Sequence, residues 1–110
     1  MKRQFLFICS NCSVRGPTAE ELFEDSDEVE ARSAGLFPLR DSHKITDQLI
    51  RWASTIFVMD EKNEFHKTQL IQRFPDAEDK EIVVLNIPNI FSRNDPELEK
   101  LLMDKLEKRY

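Results

Sequence analysis

The chain has 110 residues, the size of one domain, which the sequence predicts to span 1–110. Its 16 basic and 21 acidic residues give a formal net charge of −5, which argues against nonspecific binding to nucleic acid or to an anionic membrane surface. Two cysteines three apart make no disulfide framework, the opening "MKRQFLFICSNC" lacks the apolar run and small-residue cleavage site of a leader, and no stretch approaches the roughly 18 apolar residues of a membrane span, so the expectation is a cytoplasmic protein.

Along the chain, "FLFIC" (Phe5 to Cys9) is a short continuous apolar run and predicts a buried strand. A helix is expected from Pro17, a good first-turn residue, with Glu20 and Glu21 near its positive end. Glu20 to Glu30 holds seven acids and reads as a solvated face, with an electrostatic surface for a basic partner as the alternative. "EVEARSAG" (Glu28 to Gly35) suits a half-exposed strand. A second helix is predicted over about Lys44 to Trp52, with Ile45, Leu49 and Trp52 on one side. "TIFVM" (Thr55 to Met59) predicts another buried strand, and a helix over about Glu61 to Phe74 follows, with Phe65, Leu70, Ile71 and Phe74 apolar. "EIVVLNI" (Glu81 to Ile87) predicts the last strand. The final helix opens at Asp95 as cap and Pro96 as first helical residue, and Leu98, Leu101, Leu102 and Leu106 form its core stripe. Four alternations of strand and helix predict an α/β fold, a three-layer sandwich with a four-stranded parallel sheet and helices on both faces. Ligands in such folds sit beyond the carboxyl ends of the strands, where Cys9 stands.

The loop from Cys9 to Gly16 carries the chemistry. A tight strand-to-helix loop turns backbone N–H groups inward and forms a nest for an anion. The same positive field lowers the pKa of a thiol and favours the thiolate. Arg15, six residues after Cys9, offers a planar fork of donors to two phosphate oxygens. These parts together read as a phosphate trap with a nucleophile at its floor.

The chain resembles the low-molecular-weight protein tyrosine phosphatases, and especially a short predicted subfamily of about this length. "FLFICSNCSVRGPTAEELF" resembles the family's strand, phosphate loop and first helix, and "ARSAG" (Ala31 to Gly35) its second strand. "STIFVMDEKNEFHKTQL" (Ser54 to Leu70) resembles its third strand and the following helix, and "NIPNIFSRNDPELEKLL" (Asn86 to Leu102) its closing segment. The resemblance implies a phosphomonoesterase in which Cys9 attacks phosphorus. Arg15 and the amides of Ser10, Asn11, Cys12, Ser13, Val14 and Gly16 would hold the oxygens, with no cofactor and no metal. Implied partners are a phosphorylated protein or small aryl phosphate, and inorganic phosphate or a similar oxyanion in the loop.

Three positions depart from the family pattern. The aspartate that serves as general acid is matched by Asn89, whose amide cannot protonate a leaving oxygen, and the tyrosine after it by Phe91. Asp95 is a candidate substitute acid, although helix capping suits it better. The usual hydroxyl residue after the arginine is Gly16, and the usual loop asparagine is Cys12. In the family that asparagine braces the loop against a serine, here Ser33, so Asn11 or Ser13 would have to take its place. The expected outcome is a slow phosphatase; the alternative is a catalytically impaired module that binds phosphate or phosphotyrosine.

Other readings are weaker. Cys9 and Cys12 form a C-x-x-C, but nothing else in the chain resembles a thioredoxin-like fold. A reversible Cys9–Cys12 disulfide that protects the nucleophile is the modest version of the same idea. Arsenate reductases share the fold and loop but use cysteines later in the chain, and this chain has none after Cys12. His43 and His66 are isolated in sequence and read as surface or satisfied histidines rather than zinc ligands. Trp52 is expected to pack a helix on the sheet, and Phe37 or Phe91 is a candidate aromatic wall for an aryl phosphate.

Overall fold

The computed structural model describes residues 2–107. Its sheet has four parallel strands, β1 (Arg3–Cys9), β2 (Val29–Gly35), β3 (Thr55–Val58) and β4 (Glu81–Val84), in the order β2-β1-β3-β4. Phe7 at the middle of β1 is in register with Ser33 of β2 and Phe57 of β3. Successive strand residues point to opposite faces, and β1 is apolar on both because both are covered. Phe5, Phe7 and Cys9 face one core and Leu6 and Ile8 the other, all of them buried.

The first core is closed by α1 (Arg15–Glu21), through Ala19, and by α4 (Pro96–Glu107), through Leu98, Leu102 and Leu106. Phe7 stacks on Phe57 at 5.2 Å, and Phe5 meets Phe57 edge-on at 4.9 Å. The second core is closed by α2 (Asp47–Trp52), through Ile50, and by α3 (His66–Arg73), through Leu70. Trp52 is half-buried against that core, where it was expected to pack a helix on the sheet, with the Arg32 guanidinium 4.5 Å from its ring centre. The expected α4 is found: Pro96 is its first residue, and Asp95 Oδ1 accepts the Glu97 amide at 2.9 Å. Truncating a buried leucine of such a stripe costs about 2–5 kcal/mol, so Leu98, Leu102 and Leu106 anchor the helix more than any surface ion pair does. Leu101 lies at the edge of the stripe, partly buried.

Several boundaries differ from the sequence expectation. Helix α1 begins at Arg15, not Pro17, and ends at Glu21, which places Glu20 and Glu21 in its last turn rather than near its positive end. Helix α2 begins at Asp47 because Thr46 caps it, its hydroxyl accepting the Leu49 amide at 3.1 Å; Lys44 and Ile45 are not helical. Strand β4 ends at Val84, where Leu85 and Ile87 still donate to the Val58 and Met59 carbonyls, but Asn86 at φ 58° bends the chain. Helix α3 begins at His66, not Glu61, and Phe65 is 54% exposed at φ 55° rather than a core residue. The reason is local: the Asp60 carboxylate accepts the amides of Asn63 and Glu64 and closes a turn that competes with the helix.

The topology sets the site. From β1 the chain moves to β2 on one side and later to β3 on the other, so a crevice opens at the carboxyl ends of β1 and β3. Cys9 ends β1, and the Asp60 turn follows β3.

Candidate active site

Cys9 is 2% exposed. It lies on the Phe5–Phe7 face of β1, yet its sulfur meets polar groups where the core ends. Contact with the Cys12 side chain, amide donors from Gly16 and Cys12, and the Arg15 charge lower its pKa, and together they outweigh the burial that opposes ionisation. Cys12 moves the other way: its contact with Cys9 and its partial burial raise its pKa and keep the proton on its sulfur. Gly16 allows this closeness, since a Cβ there would sit 3.1 Å from the Cys9 sulfur and 3.2 Å from Ser33 Cβ.

The loop has the backbone of a nest. Cys12 takes φ 56°, in the left-handed region. Among the described residues, the amides of Asn11, Val14 and Arg15 have no hydrogen-bond acceptor. Ser13 donates its amide and hydroxyl to Asn11 Oδ1 at 3.2 and 2.7 Å, so Asn11 braces the loop's outer edge. The brace to Ser33 comes from neither Asn11 nor Ser13: the Cys12 sulfur lies 3.4 Å from Ser33 Oγ, and Ser33 donates to Glu20 Oε1 at 2.6 Å. The other side of the loop rests on the β2 extension, where Leu36 and Phe37 donate to the carbonyls of Cys9 and Ser10 at 3.0 and 2.7 Å.

Arg15 is 3% exposed and fully engaged at one end. Its Nη1 and Nη2 donate to Glu64 Oε2 and Oε1 at 2.6 and 2.7 Å, and Nη1 also donates to the Ile87 carbonyl at 2.9 Å. Glu64 Oε1 accepts the Ser10 hydroxyl at 2.9 Å, and Ser10 Oγ lies 2.9 Å from His66 Nε2. The Asp60 amide donates to His66 Nδ1, which leaves the ring proton on Nε2, facing Ser10. Burial, and the charge of Arg15, hold the His66 pKa below its ordinary value and keep the ring neutral. The hydrogen bonds from Arg15 bring the Glu64 carboxyl down to about 2.

Sequence reasoning missed Glu64 and treated His66 as unrelated to the cysteines. His66 is satisfied, as expected, but through the loop residue Ser10. The one signal in the chain is "MDEKNE", whose aspartate is suited to an Asx-type turn. His43 and Ser33 both line an open groove beside the loop, with Arg40 and Arg93. Asn89 is exposed, two residues after the Ile87 carbonyl that holds Arg15. Asp95 is half-buried at the start of α4 and engaged as its cap. Of the two aromatic candidates, Phe37 is 60% exposed beside the loop, whereas Phe91 packs partly buried against the core.

The architecture has known counterparts. The tyrosine phosphatase Wzb from Escherichia coli K30, solved with phosphate, matches at a TM-score of 0.75 and 21% identity, over 98% of this chain and 96% of that one. The arginine phosphatase YwlE from Geobacillus stearothermophilus matches at 0.69 and 23%, over 97% and 92%. A thioredoxin-dependent arsenate reductase from Corynebacterium glutamicum matches at 0.64 and 19%, over 97% of this chain and 60% of the reductase. No protein-family model matches the sequence, and no curated protein matches it either. The chain has the fold of the low-molecular-weight protein tyrosine phosphatases.

Proposed function

We propose that the protein hydrolyses phosphomonoesters, with phosphotyrosine or a small aryl phosphate as substrate, through a phosphocysteine on Cys9. The carrying observation is the setting of that sulfur: at the end of β1, under amides of Cys12 and Gly16, with its pKa lowered. In the first step the Cys9 thiolate attacks phosphorus and the ester P–O bond breaks. The leaving oxygen takes its proton from water, since Asn89 supplies none. In the second step water attacks the phosphocysteine, the S–P bond breaks, and thiolate and inorganic phosphate are released. Arg15 and the unengaged loop amides stabilise the equatorial oxygens in both steps. Phosphate in the related fold of Wzb supports an oxyanion in this loop.

The test is turnover of p-nitrophenyl phosphate beside a phosphotyrosine peptide, with Cys9→Ser as control. Nitrophenolate leaves without a proton, so turnover of the nitrophenyl ester and far slower turnover of the peptide are expected. A second reading, an impaired phosphate or phosphotyrosine binder, is favoured by Asn89 and Gly16. It predicts no turnover of either compound, with binding that disappears in Arg15→Ala.

A further inference from the structure

We propose that Glu64 is a positioning residue that aims the Arg15 guanidinium at the oxyanion; the proposal rests on the phosphatase reading above. A guanidinium carries five N–H donors in a rigid plane. The Glu64 carboxylate takes one from Nη1 and one from Nη2, across the end of the fork. The Ile87 carbonyl takes the second Nη1 proton. What remains is the Nε proton and one Nη2 proton, and neither has a partner among the described residues. These two point the same way along the side of the plane. They form a second fork, the bidentate shape that matches two oxygens of a phosphoryl group. Glu64 and Ile87 thereby leave Arg15 one way to bind an anion.

Glu64 is itself held in place. Its amide donates to Asp60 Oδ2 at 2.8 Å, and its carbonyl accepts from Gln69 Nε2 at 2.8 Å. The Ser10 hydroxyl fixes Oε1, and Ser10 is backed by the buried His66. A carboxylate acting as a plug, to be displaced by phosphate, would occupy the side fork and hang from a free backbone. Here it occupies the end, on a backbone tied at both sides. A preorganised donor helps most where charge is spread over equatorial oxygens, in the transition state.

The experiment is competitive inhibition by vanadate, a trigonal-bipyramidal mimic, and by inorganic phosphate, on wild type, Glu64→Gln and Gln69→Ala. Positioning predicts that Glu64→Gln weakens vanadate by about tenfold or more while phosphate weakens by less than about threefold. Gln69→Ala, a partly exposed change that leaves the core intact, is expected to shift vanadate in the same direction by about two- to fivefold. Equal loss for both anions would reduce Glu64 to a structural role and overturn the proposal. Tighter binding of both in Glu64→Gln would make it a competing anion and overturn it as well. Binding of neither anion by the wild type, followed directly by calorimetry, would overturn the phosphatase reading and this proposal together.

Discussion

The Cys12 side chain lies against the Cys9 sulfur, and this contact makes two neighbouring cysteines chemically unequal. The contact lowers one pKa and raises the other, so Cys9 ionises before Cys12. Replacing Cys12 by alanine removes the largest stabilising contact to the thiolate. The pH midpoint of Cys9 alkylation by iodoacetamide is expected to move upward in Cys12→Ala; an unmoved midpoint would show that the amides and Arg15 suffice without it.

The same proximity gives an oxidised Cys9 a resolving partner. A sulfenic acid formed there by peroxide condenses with the Cys12 thiol, releasing water and forming a disulfide. Wild-type protein inactivated by mild peroxide is expected to recover with dithiothreitol, and Cys12→Ser to recover poorly after the same exposure. Equal recovery of the two would count against the disulfide.

Gly35 ends β2 directly beneath the loop. A Cβ there would lie 2.9 Å from the Ser10 carbonyl oxygen and 3.1 Å from both the Asn11 carbonyl carbon and Cys12 Cβ. Two of these are backbone atoms, so the loop itself must move. Gly35→Ala is expected to cost about 1–3 kcal/mol in stability and to reduce turnover. Thermal unfolding and the nitrophenyl ester assay check both effects, and a variant that matches wild type in both would mean the loop is free to shift.

Stability should fall with acid in two stages. The His66 pKa is lowered in the folded protein, so the unfolded chain takes up a proton first as pH drops through the ordinary histidine value of 6.5. The Glu64 carboxyl goes from 4.5 to about 2, so its contribution is complete above pH 4.5 and is lost as pH falls toward 2. Glu64→Gln is expected to flatten the lower stage of the melting-temperature profile and, by removing the charge that supports a proton on His66, to deepen the upper one. A lower stage of unchanged steepness would place the acid sensitivity on other carboxyls.

Asn89 stands two residues after Ile87, whose carbonyl fixes Arg15. Asn89→Asp is expected to raise the phosphotyrosine-peptide rate by at least about tenfold, within the usual range of general acid catalysis, and to change the nitrophenyl ester rate far less. A peptide rate that stays put would show that this segment does not carry the side chain to the leaving oxygen.

Much of this was legible in the chain because its signals are local. The runs at Phe5 to Cys9 and Thr55 to Met59 read as strands, and Asp95 with Pro96 marked the start of α4 within a residue. The loop motif pointed to Cys9 and Arg15 by its spacing together with its place between an apolar strand and a proline-started helix. Glu64 was hidden because its role depends on a contact 49 residues away, and its position on a turn created by the Asp60 side chain. The apolar residues Phe65, Leu70, Ile71 and Phe74 carried the expected helix through that turn, although Phe65 faces solvent. The Cys12–Ser33 brace was hidden for a similar reason: a thiol in an asparagine's place looks like a loss until the fold sets it against the hydroxyl.

The most direct measurement is acid quenching of the protein within its first turnovers of p-nitrophenyl phosphate, followed by peptide mass analysis. One phosphoryl group on the peptide carrying Cys9, absent from Cys9→Ser, is the result this account predicts. Nitrophenol release without that adduct, or undiminished release by Cys9→Ser, would contradict it.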